Sequence, residues 1–224
     1  LEKQEVMPKN DNYETFTIPG GRSYLPFREV VPADFSSATF FLCAAAITNS
    51  GIMLHGLDMN DTQGDKEVVK FLIEMGADVD VTHKGVRVRG ADLQGRELDL
   101  SDTPDALPAL AVVGCFAWGE TILKNVAHAR IKETDRISVM AENLRRMGAD
   151  IEELPDGLVI RRSVLHGTVV DGAGDHRVVM ALAVAGLRAQ GLTHITNAEA
   201  VNVTFPTFPD LMKELGANMR LVRG

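Results

Sequence analysis

Met147-Gly148-Ala149-Asp150-Ile151 is one spelling of a phrase that also occurs as Met75-Gly76-Ala77-Asp78-Val79 and as Leu215-Gly216-Ala217-Asn218-Met219. The phrase's first glycines, Gly76, Gly148 and Gly216, stand 72 and 68 residues apart. A second marker keeps the same interval: Asp34, Asp105 and Asp175, separated by 71 and 70 residues, each open a long apolar stretch that closes at Gly51, Gly119 or Gly191. Two independent markers with one period identify three repeated units of about 70 residues.

Each repeat reads alike. The stretches Asp34 to Thr48, Asp105 to Trp118 and Asp175 to Ala189 are apolar or small nearly throughout, and predict buried helices with Asp at the N-cap. Short alternating segments follow as strands: Ile52 to Leu57, Thr121 to Val126, and Leu192 to Thr196. A second helix comes next. In the middle repeat Ile137, Met140, Leu144 and Met147 form its apolar stripe, with Glu142, Arg145 and Arg146 opposite and Gly148 as the stop. Beyond the glycine lie strands at Val79–Val81 with Val86–Val88 and at Ile151 with Leu158–Ile160. The turns between them are marked by Lys84-Gly85 and Asp156-Gly157. The expectation is helix, strand, helix, strand in every repeat, with an extra strand in at least the first two.

Such units cannot bury their faces alone, so the reading is an α/β (α+β) domain with three repeats around a pseudo-threefold axis, helices inside and sheets outside. A doubly wound sheet is the alternative, but it would bury its strands and leave its helices amphipathic. Here the first helix of each repeat is the most apolar element.

The 224 residues are 45% apolar and 24% charged, an ordinary globular composition with enough chain for a sizeable core. Lys and Arg number 23 against 31 Asp and Glu, a net charge of −8, which argues against a generic nucleic-acid or anionic-membrane surface. Cys43 and Cys115 lie in apolar runs without metal-ligand spacing, as buried thiols of a reducing cytosol do. No apolar run reaches the ~20 residues of a spanning helix, and the polar opening Leu1 to Glu5 has no signal pattern. A cytoplasmic protein is expected. The chain opens at Leu1 rather than Met, as a processed chain or a piece of a longer one would.

No Gly-rich phosphate loop, Cys-His cluster or Gly-x-Ser-x-Gly elbow is present, so no metal or cofactor is called for. Cations at helix starts stand out instead: Arg136 in the first turn of one helix, and His176-Arg177 in the first turn of another. A cation there faces the positive end of the helix dipole, which is unfavourable unless an anion lies between them. His128, Arg130 and Lys132 add basic groups just upstream. The plainer reading pairs each arginine with a neighbouring Asp135 or Asp175, and makes Asp105 an N-cap like Asp34 and Asp175. Read physically, the pattern supports an anion-binding site and fixes no reaction type.

Val31-Pro-Ala-Asp-Phe-Ser-Ser-Ala-Thr-Phe-Phe-Leu42, Thr62-Gln-Gly-Asp65, Lys132-Glu-Thr-Asp-Arg136, Asp175-His-Arg177 and Thr204-Phe-Pro206, in this order, resemble the C-terminal half of the 5-enolpyruvylshikimate-3-phosphate synthase (3-phosphoshikimate 1-carboxyvinyltransferase) family. The resemblance runs from about Phe16 to the end. It implies two similar domains of three repeats each, and transfer of the enolpyruvyl group of phosphoenolpyruvate to the 5-hydroxyl of shikimate 3-phosphate with release of phosphate. It implies further that Asp105 is the base at the shikimate hydroxyls and Lys132 an adjacent substrate contact able to assist proton transfer. Glu133 resembles the acid and base at the methyl carbon, and Arg136 and Arg177 the phosphoenolpyruvate clamp, with His176 a supporting donor. His128 stands on the substrate side where many relatives carry Asn, and Val203 where many carry Lys.

By the same resemblance, residues 1–24 are the last strand and crossover of an N-terminal domain that is otherwise missing. Residues 25–224 are then the C-terminal domain, with repeats at about 25–95, 96–165 and 166–224. The partners implied are the two substrates and that N-terminal domain, without which the chain is expected to be inactive. The family is the target of glyphosate. Alternatives are a UDP-N-acetylglucosamine enolpyruvyl transferase-like enzyme, or a non-catalytic anion-binding domain on the same fold. Asp105 and Glu133 beside the cations weigh against a pure anion binder.

Overall fold

A computed structural model describes residues 6–48 and 50–222; the opening segment Leu1 to Glu5, read above for targeting signals, lies outside them, as do residues 49, 223 and 224. The chain divides into two compact units, Leu1–Pro32 and Ala33–Gly224. In the first, β1 (Lys9–Asp11) and β2 (Thr15–Thr17) form an antiparallel hairpin whose turn is tied by the Tyr13 N–H donating to Asn10 Oδ1 at 2.8 Å.

The second unit holds the three repeats. Helices α1 (Phe35–Ile47), α3 (Leu107–Gly114) and α5 (His176–Gly186) open them, with α2 (Glu67–Glu74), α4 (Arg136–Arg146) and α6 (Phe208–Glu214) as the second helices. Every residue of α3 is buried, and in α1 all but Ser36 and Ser37 are. The three opening helices pack on one another, forming the centre that their all-round apolar sequences require. Phe40 and Phe41 of α1 stack against Phe205 and Phe208 at ring separations of 5.6 to 6.3 Å, joining the first repeat to the third.

The sheets lie outside this centre. Strands β3 (Gly51–His55), β4 (Asp78–Thr82) and β5 (Gly85–Arg89) form an antiparallel sheet in the order β3-β5-β4. In the second repeat β6 (Glu97–Asp99), β7 (Glu120–Lys124), β8 (Asp150–Leu154) and β9 (Gly157–Arg161) run β6-β7-β9-β8, with β6 parallel to β7. The hairpins marked in the sequence by Lys84-Gly85 and Asp156-Gly157 are the β4–β5 and β8–β9 turns.

The third repeat departs from the expected pattern. Its sheet is the parallel pair β10 (Val169–Asp171) and β11 (His194–Thr196), and no strand follows α6 among the described residues. In the first two repeats the strand after the glycine is held by its hairpin partner; residues 217–222 have no such partner, so their backbone forms no ladder. Strands β6 and β10 were not expected from the sequence. Each has three residues of which one is buried, too few to show a period. No helix among the described residues is long and apolar enough to cross a membrane. Cys43 and Cys115 are free and buried, and burial pushes the Cys115 thiol up to about 12.

Candidate functional site

The candidate residues lie at the N-terminal ends of the central helices and of α4. Asp34 caps α1, accepting from the Ser36 and Ser37 N–H groups at 3.2 and 2.8 Å, and Asp175 caps α5 through the Arg177 N–H at 2.8 Å. Asp105 breaks the pattern. It sits in a 3-10 turn, Pro104–Ala106, where its side chain caps nothing. Its carboxylate instead meets three cations: Arg136 Nη1 at 2.7 Å and Lys132 Nζ at 3.4 Å on Oδ1, and Arg177 Nη2 at 3.0 Å on Oδ2.

Arg136 is the centre of the cluster. It opens α4 and is 1% exposed. Its Nε donates to Asp175 Oδ2 at 2.7 Å, its Nη1 to Asp105, and its Nη2 to Glu133 Oε2 at 2.6 Å. Burial opposes its charge, and the carboxylates of Asp175, Glu133 and Asp105 more than offset this, so its pKa is raised. The adjacent Asp135 is not its partner, because that carboxylate caps α4 through the Ser138 N–H and binds Arg130 at 2.7 Å. Arg130 itself is a structural tie, donating to the Leu154 and Pro155 carbonyls and pairing with Glu153. The anion that makes a cation tolerable at these helix starts is therefore supplied by the chain's own carboxylates.

Asp105 feels opposing influences. Burial raises its carboxyl pKa, while Arg177, Arg136 and Lys132 lower it and prevail, so the group lies below the ordinary carboxylate range and is ionised at neutral pH. His176 is buried, and its Nδ1 is 4.0 Å from Glu133 Oε1, too far for a hydrogen bond. Burial, with the Arg177 charge beside it, lowers the imidazole pKa, leaving His176 a neutral donor or acceptor at neutral pH.

The structure thus brings Asp105, Lys132, Glu133, Arg136, His176 and Arg177 into one cluster. His128 lies in the 3-10 turn Ala127–Ile131, which packs against Pro104–Ala106, but its side chain makes no hydrogen bond or ion pair among the described residues. Val203 is 76% exposed at the end of another 3-10 turn. Sequence reasoning gave Asp175 only a capping role and a possible pairing with a neighbouring arginine, and missed Ser36 and Asp65. Ser36 accepts from Arg177 Nη1. No group of three or more His, Cys, Asp or Glu able to hold a metal occurs among the described residues.

Three carboxylates, from Asp105, Glu133 and Asp175, meet three permanent cations, from Lys132, Arg136 and Arg177. Such a cluster has the geometry to grip an anion bidentately but not the excess charge to hold one tightly.

Comparison with known proteins adds to this geometry. Residues 2–212 match the family model described as EPSP synthase (3-phosphoshikimate 1-carboxyvinyltransferase). The 3-phosphoshikimate 1-carboxyvinyltransferase of Acetivibrio thermocellus is 57% identical over 219 residues, covering 98% of this chain and 52% of that protein. The protein of the same name from Methanocaldococcus jannaschii is 44% identical, covering 95% of this chain and 50% of its own length. A solved EPSP synthase from Acinetobacter baumannii superposes with a TM-score of 0.88 at 31% identity, over all of this chain and 54% of that one. The chain spans about half the length of the curated relatives it matches.

Proposed function

The chain belongs to the EPSP synthase (3-phosphoshikimate 1-carboxyvinyltransferase) family, and from that premise we propose that it forms one half of the cleft in which phosphoenolpyruvate and shikimate 3-phosphate react. The observation that carries this reading is the meeting of Lys132, Arg136 and Arg177 on the single carboxylate of Asp105, with Glu133 on the same guanidinium. A binding site for an anion alone gains nothing from carboxylates at its centre; acid–base chemistry beside an anion needs them.

In the reaction the 5-hydroxyl oxygen of shikimate 3-phosphate bonds to C2 of phosphoenolpyruvate, losing its proton, while C3 gains a proton and becomes a methyl group. Loss of a methyl proton then expels phosphate from C2 and restores the double bond. Asp105, ionised and held by three cations, receives the hydroxyl proton with Lys132 beside it, and Glu133 gives and retakes the proton at C3. Arg136 and Arg177 bind the carboxylate and phosphate of phosphoenolpyruvate. Asp175 holds Arg136 by Nε, so the arriving anion displaces Asp105 and Glu133 from the two Nη groups as the site fills, leaving Asp105 beside Lys132 and Arg177. His176 supports as a neutral donor, and His128 lies on the shikimate side.

The charge balance of the cluster supports a need for cations from another domain, so the chain alone binds its substrates weakly and turns over negligibly. In this reading residues 1–24 belong to the last strand and crossover of the N-terminal domain, and residues 25–224 to the C-terminal one. The enzyme works in the cytoplasm, where Cys43 and Cys115 remain reduced. The test is to supply the N-terminal half of a relative in trans, add both substrates and follow phosphate release. Release that requires both halves is expected, and silence from a folded pair overturns the reading.

A further inference from the structure

Thr62-Gln63-Gly64-Asp65 is among the stretches that carry the family resemblance, yet it has no part in the chemistry above. Its geometry is tightly constrained. The Gln63 side chain donates through Nε2 to the Ala33 carbonyl at 3.0 Å and accepts the Phe35 N–H through Oε1 at 2.8 Å, stitching the loop to the first turn of α1. At Gly64 a Cβ would stand 2.7 Å from the Asp102 carbonyl oxygen, so only glycine lets the loop pass the turn that leads to Asp105. These constraints place Asp65 in the neighbourhood of the Ser36 hydroxyl and the Arg177 and Asp105 charges.

Ser36 is already engaged, because its oxygen accepts from Arg177 Nη1. A hydroxyl has one proton, and one that receives a guanidinium N–H keeps its own proton for another acceptor. The result is a chain of polar contacts, Ser36 to Arg177 to Asp105, that draws on all three repeats. Burial pushes the Asp65 carboxyl up, the Ser36 hydrogen bond pulls it down, the Asp105 charge raises it and the Arg177 charge lowers it.

We infer that Ser36 is a positioning residue that fixes the Arg177 guanidinium in the orientation that meets Asp105 and the incoming anion, with Asp65 as the acceptor that orients its hydroxyl. Nη1 is held by Ser36 and Nη2 lies 3.0 Å from Asp105 Oδ2, so the planar fork is pinned at both terminal nitrogens. The catalytic consequence rests on the function proposed above; the restraint on Arg177 does not.

The experiment has two arms. In the chain alone, 15N NMR of the Arg177 guanidinium reports rotation about its Nε–Cζ bond: restricted in the wild type and in Ser36→Thr, released in Ser36→Ala and Asp65→Ala. In the reconstituted pair, Ser36→Ala and Asp65→Ala each raise KM for phosphoenolpyruvate about tenfold, the scale of one net hydrogen bond, with KM for shikimate 3-phosphate within about twofold of wild type. The double variant is no worse than the worse single one, because both break the same link. Free rotation in the wild type, an Arg177 unmoved by Ser36→Ala, or additive losses would each overturn the inference. A wild-type pair that releases no phosphate overturns the proposed reaction instead, and leaves the first arm standing.

Discussion

Asp105 Oδ1 lies 2.7 Å from Arg136 Nη1, joining a carboxylate that is 27% exposed to a guanidinium that is 1% exposed. The pair unites the two readings that the sequence left open. Arg136 is an internal ion-pair centre in this chain, and through Asp105 and Glu133 it reaches the surface where a substrate anion would arrive.

Arg136 and Arg177 should therefore respond differently to removal, although both belong to the proposed clamp. Arg136→Ala strips Asp175, which is 0% exposed, of its charged partner, and loss of one member of a buried pair costs about 3–5 kcal/mol. Arg177 is partly exposed, and Arg177→Ala is expected to cost under about 1.5 kcal/mol while abolishing turnover in the reconstituted enzyme. Urea denaturation of the two variants measures the contrast.

The three equivalent aspartates separate in the same way. Asp34→Ala removes a helix cap and is expected to cost about 1 kcal/mol without touching the ion-pair cluster. Asp105→Asn removes no cap; it should leave thermal stability within about 1 kcal/mol and abolish phosphate release from the reconstituted pair. Thermal melts beside the phosphate assay check both outcomes.

His176 sets a pH dependence. Burial, reinforced by the Arg177 charge, holds its pKa below the ordinary 6.5, so as pH falls through 6.5 the unfolded chain takes up a proton there before the folded chain does. More protons bound to the unfolded state means that stability rises with pH, so this contribution is present near neutrality and lost as pH drops below 6.5 toward the folded value. His176→Gln should flatten that part of the profile, measured by urea unfolding across the window.

Gly157 begins β9 where a Cβ would stand 1.8 Å from the Leu123 carbonyl oxygen, as Gly85 does in the first repeat at 1.9 Å from that of Leu54. Neither carbonyl can retreat without breaking the ladder to β7 or β3. Gly157→Ala is expected to destabilise the chain by more than about 2 kcal/mol, with loss of amide protection concentrated in β7 and β9 on hydrogen exchange.

Much of this architecture was legible in the sequence because its causes are local. The apolar runs after Asp34, Asp105 and Asp175, the stripe from Ile137 to Met147 and the turns at Gly85 and Gly157 each act over a few residues, and the 70-residue interval announced three copies. The short strands β6 and β10 escaped because three residues carry no period, and the strand expected at the end of the third repeat is absent because a strand needs a partner the local pattern does not report.

The sequence by itself determined the repeat, the apolar centre and the family. Tertiary structure alone decided which of three similarly placed aspartates leaves its helix cap to face cations. It also decided that Arg136 turns inward to Asp175 rather than to its neighbour Asp135, and that Arg177 meets Ser36. A cap is made two or three residues away along the chain, whereas the ion pairs of Arg136 with Asp175 and of Arg177 with Asp105 join residues 39 and 72 positions apart, and a charge's partner is chosen by distance in space.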